Sequence, residues 1–163
     1  MKKAIIILGM MLLIISSCGE VSENSDYVVI GGNNYLPYEH FIQDISKGNP
    51  ADLTIHTKEG DIFILSSVVT NESNVDIEMV IQKGGGSSIV FDVYEGMNVI
   101  CTQEDINYFR DMSNLTGEDA ESFVAGLSVN IIEEMFNPES QICHGGSIWD
   151  IVQGAKVNGV VAQ

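Results

Sequence analysis

The chain has 163 residues, with 23 Asp or Glu against seven Lys or Arg and a formal net charge of −16. So acidic a surface repels phosphate backbones and anionic head groups, which argues against nucleic-acid binding and a polybasic membrane patch. A cationic protein partner remains open, and the length suits one hydrophobic core of ordinary size.

Met1 to Cys18 reads MKKAIIILGMMLLIISSC: Lys2 and Lys3 make a positive start, and Ala4 to Ile15 is an apolar run of twelve residues. A permanent membrane helix needs about 20 such residues, so this run suits a cleavable secretory segment. Ile15-Ser16-Ser17-Cys18 then resembles the lipobox of bacterial lipoproteins. The resemblance implies cleavage before Cys18, lipidation of that cysteine, and attachment to the cell envelope through the lipid. Several acyl chains on one residue anchor stably where a single chain binds only marginally. Gly19 stands where Asp would favour inner-membrane retention, which points to the outer membrane. The expected organisation is a signal peptide over 1–17, a lipidated cysteine and tether over 18–26, and a single globular domain over 27–163. Without Lys2 and Lys3 the mature chain sets five basic residues against 23 acidic ones, a formal charge of −18.

Beyond the tether, Tyr27 to Ile30 reads as a short strand stopped by Gly31-Gly32. Asn33-Asn34 offers a helix cap, and Tyr38, Phe41, Ile42 and Ile45 follow helical spacing from about Leu36 to Ser46. Leu53 and Ile55 then alternate with polar residues, Lys58 to Asp61 supplies turn chemistry, and Ile62 to Thr70 resumes an extended run. Val75, Ile77, Met79 and Ile81 alternate with polar positions, the pattern of a strand wet on one face. Gly84-Gly85-Gly86 reads as a flexible hairpin turn into a fourth strand, Ile89 to Tyr94, and Met97 to Cys101 makes a fifth.

The period then changes. Thr102, three residues before Asp105, predicts a capped helix start carrying Ile106, Phe109 and Met112. Thr116 opens the strongest helix, with Ala120, Phe123, Val124, Leu127, Ile131, Ile132 and Met135 in one apolar stripe. Ser147 caps a last helix with Ile148, Ile151, Val152 and Ala155, and Val160-Val161 could add a final strand. The expected class is α+β, an antiparallel meander of about five strands packed against two to four helices.

Chemistry-bearing residues are sparse. With Cys18 assigned to lipid, Cys101 and Cys143 are left as a pair that export would allow to bridge; burial as small hydrophobes or a functional thiol are the other readings. Cys143-His144 stands just before a helix start, where a thiolate could be stabilised, with His56 as a candidate base. The order Gly60-Asp61-Ile62-Phe63-Ile64, then Ile89 to Glu95, then a late cysteine ahead of a helix resembles permuted papain-fold peptidases of the NlpC group. That resemblance implies a nucleophile at Cys143, but the strand where the family places its histidine, Val75 to Val80, holds none. His40, His56 and His144 are scattered, and Asp111 to Leu115 has leucine where calcium needs an oxygen ligand. No metal, cofactor or catalytic residue is therefore expected. The leading expectation is a non-catalytic envelope lipoprotein that binds a protein or glycan, such as an inhibitor or immunity protein facing a cationic effector. A hydrolase built on Cys143 and a purely structural lipoprotein are the alternatives.

Overall fold

The computed structural model describes residues 27–70, 73–86 and 88–157, without the side chains of 27–29 and 104. The leader, Cys18, the tether and Val160-Val161 lie outside the described residues.

Alternation of apolar and polar residues builds the sheet. Its strands are β1 (Tyr27–Val29), β2 (Ala51–His56), β3 (Ile62–Val69), β4 (Asn74–Lys83), β5 (Asn98–Asp105) and β6 (Cys143–Gly145), lying side by side in chain order. β2 to β6 are antiparallel, and β1 joins the outer edge of β2 in parallel. Along β2 to β5 the odd-numbered residues are buried: Leu53 and Ile55, Phe63 and Leu65, Ile77, Met79 and Ile81, then Val99 and Cys101. The pleat sends their even-numbered neighbours, including Ile64, Glu78 and Thr102, to the opposite face. A one-residue slip would exchange the two sets, so the apolar pattern fixes the register.

Five helices complete the α+β fold: α1 (Leu36–Ser46), α2 (Ile89–Val93), α3 (Ile106–Met112), α4 (Gly117–Glu134) and α5 (Ser147–Val157). Tyr38, Phe41, Ile42 and Ile45 of α1 join Ile106 and Phe109 of α3, the α4 stripe, and Ile148 and Val152 of α5 in one core with the sheet. Full burial of such side chains contributes about 1.5–3 kcal/mol each. Phe109 and Phe123 meet edge to face, their centroids 5.8 Å apart, and tie α3 to α4. No helix among the described residues is long and apolar enough to cross a membrane.

Several local expectations change. The expected strand Ile89 to Tyr94 is α2 through Val93: Ser88 caps it by accepting from the Val90 amide, and Ile89 stays 78 % exposed. Of the five helix residues only Phe91 turns inward, edge-on to Phe63. Gly84-Gly85-Gly86 is not a slack hairpin. A Cβ on Gly85 would sit 2.2 Å from the Gly60 carbonyl carbon, because the chain crosses the β2–β3 turn there. The Gly85 amide donates to Asp61 Oδ1 at 2.6 Å, and Thr57 Oγ1 donates to Asp61 Oδ2. Asp61 is thereby buried with both carboxyl oxygens hydrogen-bonded.

Capping also shifts. β5 runs through Thr102 to Asp105, and Asp105 itself caps α3, accepting from the amides of Asn107 and Tyr108. The α1 cap is Tyr35, without a side-chain bond, and Asn33-Asn34 lie outside it. Thr116 is the α4 cap residue, but the first α4 amide, Gly117, donates to Glu39 of α1 at 2.9 Å. An inter-helix contact thus does what a local cap would have done.

Candidate functional site

Cys101 and Cys143 face one another across β5 and β6 and are joined by a disulfide, their Cα atoms 3.9 Å apart. The Thr102 amide donates to the Ile142 carbonyl at 2.8 Å, the bond that flanks a non-hydrogen-bonded pair, where side chains approach most closely. Both residues are buried. A bridged Cys143 has no thiolate to offer, so the nucleophile expected from its sequence context is absent in this state. His56, its candidate partner, lies on β2, three strands away from β5; burial lowers its pKa below the usual 6.5.

His144 points the other way. On the sheet's outer face its Nε2 lies 3.1 Å from Thr102 Oγ1 and 3.4 Å from Asp76 Oδ1. Thr102 donates its single hydroxyl proton to Asp76 at 2.6 Å, so the imidazole is the donor to Thr102. This brings a histidine, a carboxylate and a hydroxyl together, but with the hydroxyl proton committed to the carboxylate rather than to a base. Among the described residues no group of three or more His, Cys, Asp or Glu side chains is arranged to hold a metal.

A groove of about 500 Å³ opens beside the disulfide, where β5 runs past the end of β6. Thr102, Gln103 and Ile142 form one wall, Tyr108 of α3 one end, and Ser122, Phe123, Gly126, Leu127 and Asn130 of α4 the other wall. Residues 122, 126 and 130 recur every four positions, so they form one row along the helix beside its buried stripe. Asn130 Nδ2 donates to Gln103 Oε1 at 3.3 Å across the groove. Gln103 Nε2 is buried and has no partner among the described residues. If both amides are turned over, the unpaired end becomes an acceptor; one polar atom is left over either way. Tyr108 is 39 % exposed, with its ring tilted on Phe123 at 5.7 Å between centroids.

No protein-family model matches this chain, and no curated protein or solved structure matches it.

The other side of α4 carries a smaller cavity of about 210 Å³, lined by Tyr38, Ile55, Phe63, Phe91, Val129 and Ile132 among others. Tyr38 Oη is buried, with the Glu121 carboxylate as a polar neighbour and no hydrogen bond within 3.5 Å among the described residues. Burial, and secondarily the nearby Glu121 carboxylate, raises the Tyr38 pKa far above its usual value, so the phenol stays protonated. Glu121 itself accepts from the Gly31 amide at 2.7 Å.

Neither cavity is foreseen from the sequence. The groove had a usable signal in Ser122, Gly126 and Asn130, a row of small and polar residues four apart inside a helix otherwise read for its apolar stripe. Tyr108 and Gln103 carried none, because the end of β5 and the placement of α3 bring them there.

Proposed function

We propose that this chain is a lipid-anchored protein of the cell envelope that acts by binding, with the groove between α4 and β5 as its site. The observation that carries the binding reading is the groove lining. It combines amides, hydroxyls and aromatic rings with the aliphatic Leu127 and Ile142, groups that recognise a partner without titrating near neutral pH. The anchor rests on the lipobox-like Ile15 to Cys18. The Cys101–Cys143 bridge supports export, since such bonds persist in oxidising compartments and are rare in reducing ones. The partner is a protein or a glycan; among proteins, the mature charge of −18 favours cationic ones over anionic ones.

Two measurements test this. Wild-type protein should incorporate labelled fatty acid and fractionate with membranes, and Cys18→Ala should do neither. Equal membrane fractionation of both would remove the anchor. For binding, the protein should retain an envelope component that Gly126→Leu, which fills the groove, no longer retains. Equal retention by the two would place the site elsewhere.

A further inference from the structure

Three features of the groove belong together. First, none of its described lining residues is charged, in a chain with 23 acidic residues. Secondly, the polar groups it offers are neutral and two-sided. The Asn130 and Gln103 amides both donate and accept, as does the Ser122 hydroxyl. Thirdly, Gly126 sits inside α4 where a Cβ would meet nothing within 4 Å. Glycine is poorly suited to a helix interior, and no close approach of a neighbour requires it here. Its effect is to leave the middle of the groove wall without a side chain.

We propose that the groove binds a neutral saccharide of one or two sugar rings, or a longer neutral glycan through such a segment. A sugar ring presents C–H groups on its faces and hydroxyls around its edge. The half-exposed Tyr108 ring, held on Phe123, supplies an apolar platform for a face. The amides of Asn130 and Gln103 then meet the edge hydroxyls. A hydroxyl is both donor and acceptor, so it can join the exposed Asn130–Gln103 pair in either amide orientation. The volume of about 500 Å³ lies within the usual range for small-molecule sites. The chain's net negative charge disfavours uronic acids and sulfated sugars, which narrows the class to uncharged glycans.

This proposal rests on the binding reading above and not on the lipid anchor, so loss of anchoring in the Cys18→Ala variant leaves it intact. The test uses full-length protein in a sugar-free detergent, titrated calorimetrically with maltotriose, cellotriose, mannotriose and triacetylchitotriose. Trigalacturonic acid is the charged control. At least one neutral trisaccharide should bind, and the charged one at least tenfold more weakly. Tyr108→Ala and Asn130→Ala should each weaken binding tenfold or more, and Gly126→Leu should abolish it, all with unchanged circular dichroism. Gly126→Ala keeps the helix and intrudes less, so it should bind measurably and guards against misfolding of the leucine variant. Absence of binding to all four neutral sugars would overturn the proposal. So would binding that survives Tyr108→Ala and Gly126→Leu, or a groove that takes only an extended peptide along β5.

Discussion

The two cavities flanking α4 share a helix and differ in almost everything else. The groove on the β5 side is larger, uncharged and polar, and the cavity on the Tyr38 side is smaller and lined mainly by apolar groups. Each contains one of the two buried polar atoms that lack a partner among the described residues, Gln103 Nε2 and Tyr38 Oη. The contrast lies in what surrounds that atom. Tyr38 brings a large ring that α1 buries against the sheet, so its hydroxyl is a minor cost attached to a large packing gain. Gln103 brings little apolar surface, and its Oε1 is held by Asn130 across the groove while its nitrogen stays buried. The first atom is offset by the packing of its own ring, the second by the polar contact its residue makes at the groove.

The largest expected effect separates the two sides by their bracing. Thr102 and Ile142, which line the groove, flank the disulfide, and nothing comparable ties the Tyr38 side. Replacing both Cys101 and Cys143 by Ala should lower stability by about 4 kcal/mol, from the chain-entropy model for a loop of this size. Hydrogen exchange should accelerate more at Thr102 and Gln103 than at Ile55 and Phe63. Equal acceleration would mean that the bridge braces the whole sheet. Thiol counting without reductant should find neither cysteine free.

Leu127→Ala comes next, because Leu127 belongs both to the buried stripe and to the groove wall. The expected loss is about 2–3 kcal/mol, the lower part of the usual range, since the vacated space opens toward the groove. An unchanged chemical-denaturation midpoint would show that α4 is held by its other contacts alone.

Tyr38→Phe has the opposite sign. Removing a buried hydroxyl without a partner should stabilise the protein by about 1 kcal/mol. A loss of stability instead would mean that the phenol is paired in solution, and the contrast with Gln103 would fall.

The smallest effect is a pH slope. Burial lowers the His56 pKa in the folded state, so the unfolded chain binds more protons as pH falls below about 6.5. Stability should therefore decline on that acid side and level off once pH is below the folded pKa. His56→Gln should flatten this part of the curve; an identical curve would assign the slope to other groups.

The sheet was legible in the sequence wherever burial is one-sided, because alternation in β2, β3 and β4 encodes both face and register. α4 was legible for the same reason at the helical period. Ile89 to Val93 misled because its β-branched residues satisfy strand propensity, while the outcome was set by tertiary context: Ser88 capped a helical turn and only Phe91 found a core contact. β6 was invisible, since three residues carry no periodicity and their pairing is with a strand far back in the chain. The groove was half-legible. Its α4 row is written at spacing four, but the opposing wall exists only after β5 and the Ile142 loop are in place.

The order of strands has a consequence for how the molecule assembles. From β2 to β5 each strand pairs with the next in sequence, so these contacts are comparatively local and can form early. β6 is different: 42 residues separate Cys143 from Cys101, and only two register pairs join the strands. Closing so long a loop for so few contacts is unfavourable until α3 and α4 have folded and brought the ends together. Oxidation should thus follow assembly of the meander, with the two thiols meeting last and the bond sealing a chain that is already built.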